Sequence, residues 1–194
     1  MQEGRDYFDL ANMIYPPEKD TLMGRGNLAG KPVLYASDGL ATALDEISAQ
    51  PGDRIQTIQL ALKPDCVLRA CIIGVVERLF NAAGRPAESM MKHEAQAIQM
   101  VEGMSIEDQT KNLYLDSFLA ESFRASVKRS CDYLLTASFS ETVYNSGCSV
   151  VCPSVERNHG FNVAIPKDTY IRDFLLKSRL SLRSRRISVT GFIS

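Results

Sequence analysis

The strand-type runs of this chain sit toward its two ends with a helical stretch between them, and that order restricts the fold more than any other feature. Val33 to Ala36 reads as a short strand. Arg54 to Leu62 sets Ile55, Thr57, Gln59 and Ala61 against Gln56, Ile58, Leu60 and Leu62, an alternation that predicts a strand wet on one face. Cys148 to Cys152 and Phe161 to Ile165 are strand runs of the buried type. In the middle, Glu88 to Val101 places Met91, Ala95, Ile98 and Val101 at helical spacing, and Asn112 to Ser126 does the same with Leu115, Phe118, Leu119 and Phe123. A third helix, from about Asp132 to Tyr144, meets a C-terminal stop at Asn145-Ser146-Gly147. This is not βαβ alternation, so the fold class is α+β rather than a doubly wound parallel sheet. With no internal repeat and no low-complexity linker, a single domain over residues 1–194 is expected.

The first 32 residues are rich in turn formers, Tyr15-Pro16-Pro17 and the glycines of Gly24-Arg25-Gly26-Asn27-Leu28-Ala29-Gly30 among them, which marks an irregular crossing segment. The glycines invite a dinucleotide-fold reading, but their spacing is too long, no convincing strand precedes them, and Lys31-Pro32 forbids a helix start after them. What they allow is close approach of backbone to a ligand, a setting suited to presenting Arg25. Asp38 is placed to cap a helix that begins at Gly39, carries Leu40, Ala43, Leu44 and Ile47 on one stripe, and stops at Pro51-Gly52. Glu46 flanks that stripe near the helix's C-terminal end, where the dipole disfavours a carboxylate. Arg25, Tyr35 and Glu46 thus follow at intervals of 10 and 11 residues on loop, strand and helix. A guanidinium fork matches phosphate oxygens, a tyrosine ring packs against a flat ring, and a carboxylate stabilises a sugar cation. Singly, each also has an ordinary reading: surface arginine, core tyrosine, solvated helix-edge glutamate.

Composition excludes several alternatives. A formal net charge of -1 argues against a nucleic-acid binder, since phosphate backbones are held by cationic excess. The charge is uneven: residues 155–194 hold eight Lys/Arg and three Asp/Glu, so that end carries +5 and the remainder -6. No apolar run approaches the roughly 18 to 20 residues that span a bilayer, and the N-terminus lacks signal-peptide character. The expectation is a cytoplasmic protein with no membrane contact. Five cysteines fit reduced thiols better than a disulfide framework, and Cys148 and Cys152 in one extended run stand about 13 Å apart, too far to bridge. Without a Cys-x-x-Cys pair or a second histidine beside His93-Glu94, no metal site is expected. A Cys152/His159 nucleophilic pair has nothing to mark an orienting third group.

Further along, Asp132-Tyr133-Leu-Leu-Thr136 leads to Val151-Cys152-Pro153-Ser154-Val155 and then Gly160-Phe161-Asn162. With Gly24-Arg25-Gly26-Asn27, Tyr35 and Glu46, this order resembles the RES domain family, named for its Arg, Glu and Ser. The resemblance is good over residues 16–65 and 130–165, thin between 70 and 130, and absent in the basic segment 177–194. It implies an ADP-ribosyltransferase-like fold, a split antiparallel sheet around a cleft. It also implies an enzyme that breaks the nicotinamide-ribose bond of NAD, with inorganic phosphate or water as acceptor, and toxin behaviour held in check by an antitoxin or other inhibitory protein. Passing ADP-ribose to a protein, or a fold that binds without turnover, are the alternatives. By the match, Arg25 holds the pyrophosphate, Tyr35 and Glu46 take the nicotinamide-ribose, and Ser154 completes the site; Gly26, Asn27 and Asn162 join the NAD-binding set, and Arg5 matches an early arginine. Gly26 stands where many relatives carry an aromatic residue or Met, so it is expected to loosen that wall of the pocket. For Arg179, Arg183, Arg185 and Arg186 the family offers no guide, and they are read as a surface for an acidic partner.

Overall fold

The computed structural model describes residues 14–76, 99–157 and 160–183. Arg5, His93, His159, Arg185, Arg186 and most of the helix expected over Glu88 to Val101 lie outside them. The described elements, in order, are β1 (Val33–Ser37), α1 (Leu40–Glu46), β2 (Arg54–Leu62), β3 (Ala70–Ile72), α2 (Ile106–Arg124), α3 (Leu134–Asn145), β4 (Ser149–Pro153), β5 (Phe161–Pro166), α4 (Lys167–Asp173) and β6 (Phe174–Arg183), with 3-10 turns at Glu18–Asp20 and Ser130–Tyr133. The class is α+β.

One sheet has the order β1-β5-β4-β3, and a separate ribbon pairs β2 with β6. β1–β5, β5–β4 and β2–β6 are antiparallel, while the short β3 lies parallel to β4, which makes the larger sheet mixed. Strand alternation sorts the larger sheet into two faces. Val33, Val150, Cys152 and Ala164 meet Ile73 and the Leu119, Ala120 and Phe123 strip of α2, with Phe139, Val143 and Tyr144 of α3 against them. Leu34 and Ile165 point the other way, to Tyr170 of α4, and Leu60 and Phe174 of the ribbon pack on that cluster.

Five expectations change. The basic segment from Lys177 is not a free tail as far as Arg183: it is β6, laid along β2 in register from Leu62↔Phe174 to Arg54↔Arg183, with an irregularity at Gln59/Leu60. β2 itself covers neither face fully, since only Ile55 is buried in a two-stranded ribbon. α2 starts at Ile106, where the Ser105 hydroxyl accepts the Asp108 N–H, and its stripe is buried only from Leu119 onward. Leu115 and Phe118 stay exposed while Leu119, Ala120 and Phe123 meet the sheet, since burial needs a surface beneath as well as the right spacing. α1 ends at Glu46, before Pro51. Ser48 enters the left-handed region at φ 51°, its N–H reaches Asp45 O and that of Ala49 reaches Leu44 O, which closes a Schellman stop. At the other end, Asp38 makes no cap bond to the backbone; its carboxylate accepts the Thr42 hydroxyl at 2.6 Å.

Candidate active site

The Schellman stop leaves Glu46 as the last helical residue, aimed across the ends of β4 and β5. Its Oε1 accepts three hydrogen bonds: Ser154 Oγ at 2.5 Å, Asn162 Nδ2 at 2.7 Å and Val155 N at 3.2 Å. Ser154 is buried just past β4, its hydroxyl also accepting the Arg157 N–H at 3.0 Å and its own N–H donating to Gly160 O at 2.8 Å. Space selects the glycine there: a Cβ on Gly160 would lie 2.8 Å from Thr42 Cγ2, so the loop could not close on α1 with a larger residue. Outside this corner Arg157 and Asp45 form an ion pair at 2.7 Å, about half-exposed on both sides.

Arg25 occupies the tip of a tight turn closed by Gly24 N to Asn27 O at 3.0 Å and Asn27 N to Gly24 O at 3.4 Å. Asn27 is buried and locks the turn from inside. Its Nδ2 donates to Leu22 O and Leu28 O, and its Oδ1 accepts from the Tyr35 hydroxyl. Gly26 is held between two tyrosines, donating its N–H to the Tyr35 oxygen at 2.5 Å and accepting the Tyr144 O–H at 2.6 Å. A Cβ on Gly26 would stand 2.9 Å from that Tyr35 oxygen and 3.0 Å from Ala164 Cβ. Gly26 therefore does not loosen a wall; it is the residue that lets the turn sit on the sheet.

Arg25 is shared between the fold and the site. Its Nη1 donates at 2.8 Å to both Phe123 O and Ala125 O, carbonyls that end α2, where a cation complements the helix dipole. Its guanidinium also lies over the Tyr133 ring, 5.6 Å from the centroid. Among the described residues Nε and Nη2 have no hydrogen-bond partner, which keeps the donor edge that suits an anion. Tyr35 is likewise divided: the residue is 47% exposed, while its hydroxyl is tucked into the Gly26 and Asn27 contacts. Burial pushes its pKa, and that of Tyr144, well above the ordinary tyrosine value, so both hydroxyls stay protonated.

The sheet register brings these groups together. Tyr35, Ala164 and Val150 form one row across β1, β5 and β4, and Ser37, Asn162 and Cys152 form the next, two residues on and facing the same side. The Cys152 thiol in this second row is pushed up to about 12, mainly by burial and then by the Glu46 carboxylate, with Arg25 opposing. Glu46 reaches this face through its bond to Asn162, and Arg25 lies on it through its bonds to the end of α2. A thiol raised in this way stays protonated at neutral pH, the state of a buried structural cysteine. Among the described residues, no group of three or more His, Cys, Asp and Glu gathers to hold a metal ion.

Arg25, Tyr35, Glu46, Ser154 and Asn162 are thereby drawn to one end of one sheet from five separate segments. The family model described as RES domain matches residues 4–175, nearly the whole chain. The chain belongs to the RES domain family. No curated protein and no solved structure matches it. The RES match ends at the second residue of β6, so the ribbon's outer strand lies mostly beyond the family pattern. Sequence reasoning missed Ser37 and Tyr144 as members of this neighbourhood, and had Tyr133 only as part of the family signature, with no role. Ser37 carried a signal, being two residues beyond Tyr35 on the same strand face; Tyr144 read only as a helix residue.

Proposed function

We propose that this RES protein consumes NAD by breaking the bond between nicotinamide and ribose. The observation that carries the reading is the Glu46 carboxylate, immobilised through Oε1 by three donors with no described residue bonded to Oε2, on the same sheet face as an arginine that keeps a donor edge clear of the described residues and a half-exposed tyrosine ring. In this reading the unused edge of Arg25 holds the pyrophosphate and the Tyr35 ring packs against nicotinamide. When the C–N bond breaks, its electron pair stays on the nicotinamide nitrogen and neutralises that ring. The ribose carbon is left cationic, and Glu46 stabilises the charge that exists only there and then. Inorganic phosphate or water then adds to that carbon, water losing a proton as it does so. Ser154 contributes by holding Glu46.

The test is to incubate the pure protein with NAD, with and without phosphate, and to identify the products. Nicotinamide release that depends on phosphate and yields a ribose-1-phosphate ester identifies phosphorolysis; ADP-ribose identifies hydrolysis. Label retained on a protein would identify transfer to a side chain instead, and no nicotinamide release under any condition would reduce the protein to a binding module. A free activity of this kind depletes its host of NAD, so growth arrest on expression, relieved by an inhibitory protein partner, is the expected cellular readout. No helix among the described residues is long and apolar enough to cross a membrane.

A further inference from the structure

A carboxylate oxygen only accepts, so every group on Glu46 Oε1 must donate, and that requirement propagates outward. Asn162 must present its nitrogen to Glu46, which turns its Oδ1 toward Ser37 at 2.7 Å, and an amide oxygen in turn obliges the Ser37 hydroxyl to donate. Ser154 must donate as well, leaving its lone pair to the Arg157 N–H. The proton positions from Ser37 through Asn162 to Glu46 are all determined by the carboxylate's charge.

We propose that Ser37 and Asn162 form a positioning relay that holds Glu46 by Oε1 and turns Oε2 to the reacting sugar, with Asn162 acting through Glu46 rather than on the dinucleotide. The proposal rests on the reading of Glu46 as the group that stabilises the ribose cation, and it deepens that reading by assigning the carboxylate's two oxygens different tasks. β1 serves both sides of the bond that breaks: Tyr35 offers its ring to the nicotinamide, and two residues later Ser37 orients the amide that orients the carboxylate beside the ribose. Among the described residues, the Cys152 thiol on β4 feels the Glu46 charge and the Asp45–Arg157 pair lies beside it in sequence, and none of their side chains donates to Oε1.

The test combines a direct titration with kinetics on the full-length protein and its Ser37→Ala, Ser37→Thr and Asn162→Asp variants. The Glu46 carboxyl carbon is followed by NMR in glutamate-labelled protein, its signal assigned by its loss in Glu46→Gln. Asn162→Asp sets a second carboxylate against Oε1, so the Glu46 titration should move up by about one unit or more, and kcat for NAD should fall about 100-fold with KM nearly unchanged. Ser37→Ala frees the amide to rotate and should lower kcat about 5- to 20-fold, with Ser37→Thr, which keeps the hydroxyl, regaining most of that loss. A Glu46 titration that ignores Asn162→Asp, or Ser37→Thr as impaired as Ser37→Ala, overturns the relay. A KM that rises while kcat holds would make Asn162 a ligand of the dinucleotide, which also overturns it. Should Asn162→Asp fail to fold, the two Ser37 variants carry the test. Should the wild type leave NAD intact while the Glu46 signal responds to Asn162→Asp, the relay stands and the proposed reaction fails.

Discussion

At the Glu46 end of the site, three donors from two segments meet one carboxylate oxygen, whereas at the Arg25 end one guanidinium nitrogen serves two carbonyls at the end of α2. Both groups are held by one edge and keep the other. The difference lies in what the held edge does. The donors around Glu46 orient a side chain, and α1 has already stopped without it. The carbonyls under Arg25 are orphan acceptors of a helix terminus, so Arg25 also completes the fold. A charge that finishes a helix cannot be removed without a consequence for stability, whereas a charge that is only aimed can be neutralised with the frame left standing.

The sharpest way to break this comparison is Glu46→Gln. The amide has the same shape but no charge, and it places either a donor or a weaker acceptor among three donors. kcat should fall on the order of 100-fold or more while NAD affinity, measured by calorimetry, changes little. An unimpaired rate would make the ordered carboxylate a purely structural group. Next comes Arg25→Lys, which keeps the charge and loses the fork; kcat/KM should drop by about 1.5 to 3 kcal/mol. Arg25→Ala should be worse and, unlike Glu46→Gln, should also shift the urea midpoint downward, because Phe123 O and Ala125 O lose their partner. Equal midpoints for the two neutralised variants would show that Arg25 completes the fold no more than Glu46 does.

Gly26→Ala tests the support beneath Arg25 without touching its charge. Its Cβ would meet the Tyr35 oxygen at 2.9 Å and Ala164 at 3.0 Å, and overpacking of this kind costs about 1 to 3 kcal/mol in urea unfolding. Activity should fall with the displaced turn, and a variant as stable as the wild type would show that the turn is free to shift. Tyr35→Phe is the gentlest change. It keeps the exposed ring and removes the hydroxyl bonded to Gly26 N–H and Asn27 Oδ1, so it should lower stability by about 1 to 2 kcal/mol and kcat/KM by less than about tenfold. A larger kinetic than thermodynamic effect would mean that the hydroxyl meets the substrate.

Local chemistry was enough for much of the fold. Arg54 to Leu62 was legible to the residue because alternation is a property of the strand alone. α3 ends where Asn145-Ser146-Gly147 says it should: Gly147 takes φ 78°, its N–H reaching Tyr144 O and that of Cys148 reaching Val143 O. α1 closes by the same two bonds, but its left-handed residue is Ser48, which carries no glycine signal, and the stop was placed too late. β6 was hidden behind its own lysine and arginines, although Leu176, Ser178, Leu180 and Leu182 alternate with them as a strand requires.

By itself the sequence determined the α+β class, the strands β1, β2, β4 and β5, the helices α1 to α3 and the family, together with the candidate residues Arg25, Tyr35, Glu46, Ser154 and Asn162; β3, α4 and β6 appeared only in the fold. Periodicity, turn chemistry and motif order are written in neighbours along the chain, so a reader of the chain has access to them. Which atom of each residue is held and which is left open was decided only in three dimensions. Asn27 became an internal lock of the Arg25 turn, Gly26 a fitted spacer instead of a gap, Asn162 a donor to Glu46, and Ser37 a partner to Asn162 across the β1–β5 pair. Hydrogen-bond direction and close packing depend on segments more than a hundred residues apart arriving within about 3 Å of one another, and no spacing along the chain records that arrival.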